Sequence, residues 1–479
     1  MQKRASFFFT IILCLTVLVV SQVGISLASW PMFRHDLNNT GYTSEVGPKT
    51  NIIAWDFDTG SVVTSSPAVA DGVVYVGSND TYVYALDAST GDEIWRYQIS
   101  GQFGYNGTYS SPAVADGVVY IGSNDFNIYA LNASTGTKIW NFTVFGYVYS
   151  SPVVVDGILY VGGTDSFVYA LNATTQPLTR EQRLIWNTTM GLYNTTEGLV
   201  IHGITSSPAV VDGVVYIGSA ANNTGSTGNV TALDADTGDI IWMYPLDSVE
   251  KGIWFSAPAV VDGVVYIGTY AGWVLALNST TAPLTPAERR LWGFKATNVA
   301  ATSPAVAYGM VYMGETGFPA RVLALNASTG TLEWFYSPPP GPVTGVFCSP
   351  AVSDGLVYTG TDPNGVVLAL NAMTGAEIWR YTVGSALHGS AVVAEDADGR
   401  VRLFLGSHNN KVYAFGLGIW DIDANEEVDI VDVVIVALAF GSRPGDGNWD
   451  PRADVAAEYG LIDIVDIVLV AIHFGETTK

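Results

Sequence analysis

Residues Ser65–Trp95 read SSPAVADGVVYVGSNDTYVYALDASTGDEIW, and variants of this stretch recur along most of the chain. Its proline returns as Pro67, Pro112, Pro152, Pro208, Pro258, Pro304 and Pro350, at gaps of 45, 40, 56, 50, 46 and 46 residues. Within one copy, SPAV, VVYVG, TYVYAL and EIWRY are short runs rich in β-branched and aromatic residues, the composition of strands. Asp71-Gly72 and Ser89-Thr90-Gly91 separate them, and glycine supplies the positive φ that tight turns demand. A four-stranded unit repeated at this spacing predicts the blades of a β-propeller.

An eighth unit starts at Ser390-Ala391-Val392, continues through Leu403–Gly406 and Val412–Phe415, and stops before its tryptophan strand. The missing strand lies at the other end, where Ile53-Ala54-Trp55-Asp56-Phe57 belongs to no blade of its own. With it, Trp55, Trp95, Trp140, Trp186, Trp242, Trp292, Trp334 and Trp379 mark eight outer strands. Pairing that strand into the last blade removes the open sheet edge at the seam. The expected fold is all-β, an eight-bladed β-propeller over residues 29–416 closed by an N-terminal strand, followed by a small α-helical module over 417–479.

Twenty basic against 44 acidic residues give a net charge of −24, which repels phosphate backbones and argues against nucleic acid as a partner. Lys3 and Arg4, the apolar run Phe7–Val20 and the small residues Ser26 and Ala28 have the three-part form of a secretory signal. Residues 1–28 are therefore expected to be cleaved and the rest to be extracytoplasmic, secreted or on the cell surface; an uncleaved anchor is the alternative. Cleavage removes Cys14 and leaves Cys348 as the single cysteine, so no intrachain disulfide is expected. Twelve Asn-X-Ser/Thr sequons, at Asn38, Asn79, Asn106, Asn132, Asn141, Asn172, Asn187, Asn194, Asn222, Asn229, Asn278 and Asn326, are candidate glycan acceptors, although several sit in turns that favour Asn and Ser anyway.

The stretch Ala85-Leu86-Asp87 to Trp95, repeated with Asn132 for the aspartate up to Trp140, resembles the AxDxxTGxxxW motif of the PQQ-type propeller repeat over residues 30 to 416. The resemblance implies that the tryptophans dock between neighbouring blades. It also raises an enzyme reading, because quinoproteins of this form hold pyrroloquinoline quinone (PQQ) and calcium over the central channel and oxidise alcohols or sugars. Their adjacent cysteines and CxxCH haem segment do not occur here, and no carboxylate cluster for a calcium-bound quinone stands out in residues 30 to 416. Asp71, Asp116, Asp156, Asp212, Asp262 and Asp354 read as turn formers.

Two rings precede the repeated Ser-Pro. The first contains Thr64, Tyr109, Tyr149, Thr205, Phe255, Ala301, Phe347 and Leu387, and the second Ser65, Ser110, Ser150, Ser206, Ser256, Thr302, Cys348 and His388. Their aromatics read first as packing that plugs the channel and second as a platform for a glycan or other small molecule. Cys348 with His388 makes only a two-member set, too few for a triad or a metal site. The insertions Thr175–Leu184 and Thr281–Leu291, each with Pro-Leu-Thr and a basic stretch, read as decoration or binding surface.

Beyond Phe415 the pattern changes: DIVDVVIVALAFG from Asp429 returns as DIVDIVLVAIHFG from Asp463. Asp421, Asp423, Asn425, Asp429 and Asp432 take positions 1, 3, 5, 9 and 12 of an EF-hand-like loop, with the Glu427 carbonyl at position 7, a set of oxygens suited to calcium. The tandem arrangement resembles a type I dockerin over 419 to 475, which implies a cohesin-like partner on another protein. Glu426 replaces the usual turn glycine, and Ala456, Ala457 and Tyr459 stand where oxygen ligands are expected in the second loop, so its calcium is in doubt. The sequence favours a non-catalytic binding scaffold attached through this module, without PQQ. A PQQ- and calcium-dependent oxidoreductase remains the alternative.

Overall fold

A computed structural model describes residues 29–99, 107–190, 203–220, 228–297, 302–317, 319–339 and 345–416. The expected signal at 1–28 and the C-terminal module, with Asp421, Asp423, Asn425, Glu427, Asp429 and Asp432, lie outside the described residues. Eight antiparallel blades follow one another, each built of four strands. In the first they are Ala68–Ala70, Val73–Gly77, Tyr82–Asp87 and Glu93–Gln98. The short first strands touch from blade to blade around a complete ring, Val392–Glu395 of the eighth meeting Ala68–Ala70 of the first. The Asp-Gly hairpins have both central residues at positive φ, as in Asp71 at 51° and Gly72 at 73°, the type I′ geometry that suits twisted strands.

The seam closes as the tryptophan count predicts. Ile53–Asp58 pairs antiparallel with Lys411–Phe415, setting Trp55 against Ala414 and Phe57 against Val412. The segment before this strand carries no repeat signal, yet it threads the ring. The Trp30 amide bonds to Val69 O, Pro31 O accepts from Val114, Leu37 O from Val210, Asn38 O from Val260, Thr40 O from Val306 and Gly41 O from Val352, so the strap visits six blades in chain order. Arg34 lies at its centre, fully buried, donating to Pro350 O at 2.5 Å and Pro304 O at 2.9 Å. Burial pulls its guanidinium down to about 10. Past the strap, Pro48 O accepts from Tyr358 Oη at 2.9 Å and Trp379 Nε1 at 3.0 Å, supplying the carbonyl that a blade turn supplies elsewhere.

Neighbouring blades interlock through the outer tryptophans. Trp95 donates its indole N–H to Ala133 O at 2.7 Å, and Gly136, at φ +67°, leaves so little room that a Cβ there would lie 2.6 Å from the Trp95 ring. The same fit joins Trp55 to Gly91, Trp186 to Gly238, Trp292 to Gly330 and Trp334 to Gly375. The two insertions replace the glycine with an arginine. Short helices Arg180–Arg183 and Pro286–Arg289, each with a capping box, bury Arg183 and Arg289. Their guanidinium carbons stand 4.1 Å over Trp140 and 4.2 Å over Trp242, and each arginine donates to three backbone carbonyls, one at a strand end and two in the loop after it. Their basic arginines thus lock blades together, an interlocking role that the sequence does not reveal. Among the described residues no helix is long and apolar enough to cross a membrane.

Candidate functional site: a funnel closed by the N-terminal strap

On the face opposite the Asp-Gly hairpins the channel opens as a pocket of about 430 Å³, a size in the range of small-ligand sites. The loops entering seven of the blades build its wall, with Thr64, Tyr109, Tyr149, Thr205, Phe255, Phe347 and His388, while Trp254, Tyr270 and Thr316 add to it and Phe33 of the strap lies in its lining. Six members of the first predicted ring, Thr64, Tyr109, Tyr149, Thr205, Phe255 and Phe347, line the funnel; Ala301 lies outside the described residues, and the eighth member needs a register correction. In the eighth blade His388, not Leu387, faces the funnel. Leu387 instead packs where a Cβ on Gly360 would lie, as Val63 does at Gly406 and Val346 at Gly314. Gly389 then takes the position of Ser65, which a side-chain pattern cannot register.

The second predicted ring turns away from the channel. Ser65, Ser110, Ser150, Ser206, Ser256 and Thr302 accept from the amides of Gly77, Gly122, Gly162, Gly218, Gly268 and Gly314 at 2.8 to 3.3 Å, and so tie the first strand of each blade to the second. Cys348 occupies the same place with no exposed surface, and burial pushes its thiol up to about 12. It is a packing residue and forms no pair with His388. His388 Nε2 lies instead 3.0 Å from Asp362 Oδ2, beside the rings of Phe347 at 5.0 Å and His408 at 4.1 Å. Burial, then the neighbouring His388, lowers the His408 pKa, against an upward pull from Asp362.

Sequence reasoning missed a third ring, the serine of the Ser-Pro pair itself. Ser390 donates its amide to Ser66 Oγ at 2.7 Å, Ser66 to Ser111, Ser111 to Ser151 and Ser151 to Ser207 at 2.9 Å each. Ala257 interrupts the relay, which resumes from its amide to Ser303 and on to Ser349. Six of these serines line the funnel. Each of Ser66, Ser111, Ser151 and Ser207 uses its oxygen to accept from a neighbouring blade, and a hydroxyl that accepts still has a hydrogen to donate. The signal was present as the repeated Ser-Ser-Pro, whose two serines do different jobs.

Above them the aromatics form a cone, not a plug; the N-terminal strap is what blocks the channel. Tyr147 and Tyr149 stack at 5.5 Å and 11°, Tyr109 meets Tyr149 edge-on at 5.2 Å, and Trp254 lies 4.6 Å from Tyr270 at 38°. Phe255 holds φ +51°, a costly conformation for a bulky residue that commonly marks functional sites.

PQQ carries carboxylates, and its calcium wants six to eight oxygen ligands. The described lining offers hydroxyls, ring faces and one imidazole, and the described residues contain no group of three or more His, Cys, Asp or Glu placed to hold a metal ion. The hairpin aspartates lie at the far ends of the first strands. These residues do not fit that cofactor.

An eight-bladed ring with a strap-sealed channel defines a β-propeller of the PQQ-repeat type. The chain belongs to the family described as outer membrane protein assembly factor BamB, which matches residues 40–106, 105–334 and 285–429. It is also 32% identical over 89 residues to a quinohemoprotein alcohol dehydrogenase of Comamonas testosteroni, a stretch covering 18% of this chain and only 12% of that enzyme. Among solved structures, a europium-containing methanol dehydrogenase superposes with a TM-score of 0.64 at 15% identity, covering 81% of this chain and 98% of that one. BamB from Moraxella catarrhalis gives 0.56 at 18% identity, covering 76% and 97%. At such identities the likeness is one of fold, and it spans both enzymes and an assembly factor.

Proposed function

We propose that this protein is an extracytoplasmic, non-catalytic binding scaffold. Its propeller offers the funnel to a small ligand, and residues 417–479 attach the chain, with calcium held by Asp421, Asp423, Asn425, the Glu427 carbonyl, Asp429 and Asp432, to a cohesin-like or other surface protein. The observation that carries this reading is the funnel lining, whose described residues include no carboxylate and, besides tyrosine phenols, only His388 as a titratable side chain. Oxidation of an alcohol on a quinone needs a carboxylate base and a Lewis acid beside it, whereas recognition needs shape and oriented donors, which the lining has. The second reading, a PQQ- and calcium-dependent oxidoreductase, draws on the likeness to the Comamonas testosteroni enzyme. Calorimetric titration of PQQ with calcium into residues 29–479 separates the two. Heat no greater than dilution, from folded protein, supports the scaffold; saturable one-to-one binding refutes it.

A further inference from the structure

We infer that the funnel is an end-on site for neutral saccharides, taking the terminal unit of a glycan chain. This rests on the binding-scaffold reading and names the ligand class. The aromatic walls are inclined to one another: 73° between Tyr109 and Tyr149, 45° between Tyr149 and Phe255, and 38° between Trp254 and Tyr270. A flat fused-ring ligand lies against one face at a time in such a cone and gains little from the others. A pyranose ring is thick, with C–H faces that pack on aromatic rings and hydroxyls around its edge. It can lay one face on Trp254 or Tyr149 while its edge meets the hydroxyls of Ser66, Ser111 and Ser151, which line the funnel.

Charge and topology narrow the choice further. No lysine or arginine is among the described lining residues, and the whole chain carries a net charge of −24, so acidic glycans gain no ion pair there and meet a repulsive field. The strap seals the far side: Phe33 forms part of the lining, and behind it Arg34 is bonded to two blades. A polymer cannot thread the ring, so only a chain end reaches the serines. The blade-five loop favours this mouth as the docking edge. Lys251 at φ 59° and Phe255 at φ 51° bend it against local preference, and Trp254 and Phe255 remain 37% and 48% exposed.

The test titrates cello-, malto-, manno- and chito-oligosaccharides of two to six units into the full chain, following tryptophan fluorescence and heat. At least one series should bind one-to-one, with affinity that stops rising once about three units fill the funnel, a length set by its volume. The acidic oligogalacturonides should bind at least tenfold more weakly. Trp254→Ala and Tyr149→Ala should each lose tenfold or more, while Phe145→Ala, exposed and outside the lining, should bind as the parent does. Native circular dichroism and melting of each variant keep folding out of the comparison. Silence from every series, with PQQ also silent, overturns the saccharide assignment and leaves the scaffold standing. Affinity that climbs steadily to six units, or losses no larger in Trp254→Ala than in Phe145→Ala, overturns the end-on site. PQQ binding one-to-one and excluding the saccharides overturns both readings.

Discussion

Blade four contains two glycines that separate backbone strain from the fit between blades. Gly213 and Gly238 hold φ of +73° and +76°, but a Cβ on Gly213 meets nothing within 4 Å, whereas one on Gly238 lies 2.6 Å from two atoms of the Trp186 ring. Gly213→Ala should therefore pay only for the left-handed conformation, about 1–2 kcal/mol. Gly238→Ala carries that cost plus the displacement of a buried indole from a packed interface, about 1–3 kcal/mol more. Trp186 is also anchored by its N–H bond to Ala235 O at 2.9 Å, so it has little freedom to retreat. Urea unfolding followed by tryptophan fluorescence and circular dichroism together measures both variants. If their destabilisations agree to within about 0.5 kcal/mol, the glycine of the third turn is there for its φ alone, and the interlock between blades is wrong.

Three further outcomes follow from other sites. The Cys348 thiol, buried and held at about 12, should resist alkylation near pH 8 in the folded protein and react at once in denaturant, because the thiolate is the nucleophile; prompt native labelling would contradict its placement. Because burial lowers the His408 pKa, the unfolded chain takes up its proton first, so the stability tied to neutral His408 is complete above its unfolded value and is lost as pH falls through the folded one. His408→Gln should flatten the decline in melting temperature between about pH 7 and 5, and an unchanged slope would remove His408 as its source. Asp421→Ala with Asp423→Ala should abolish the tightest calcium binding seen by calorimetry while leaving propeller melting unchanged; retained affinity would place the calcium elsewhere.

The blades were legible because most of them share several independent marks: the proline, the Asp-Gly hairpin, the turn glycine and the tryptophan. The orphan strand at Trp55 was legible because the eighth blade ends before its tryptophan strand. The strap was not, since Trp30 to Gly41 bonds through its backbone to first strands of six blades, and backbone bonding leaves no side-chain signature. His388 slipped by one position because the eighth blade has Gly389 where other blades have serine, threonine or cysteine, and Ala391 where they have proline. Its partner Asp362 and the pair Trp254 and Tyr270 lie in loops that differ from blade to blade, so no repeat picks them out. The arginines over Trp140 and Trp242 sit in insertions that read as decoration or binding surface, because a long side chain can bury its stem and stack its head without any change in composition.

Joining Ile53–Asp58 to Lys411–Phe415 also fixes an order of events during synthesis. Lys411 and its partner Asp56 are 355 residues apart, so the earliest strand of the ring stays unmatched until almost the whole propeller has emerged. Pairings of such long range form slowly. Meanwhile the strap has nowhere to lie until the inner strands of successive blades exist to receive it. A chain broken off early would expose both the unpaired strand and the unfilled channel, surfaces that invite aggregation or proteolysis. The seam thus acts as a length check, and only a polypeptide carrying every blade can hide its own beginning.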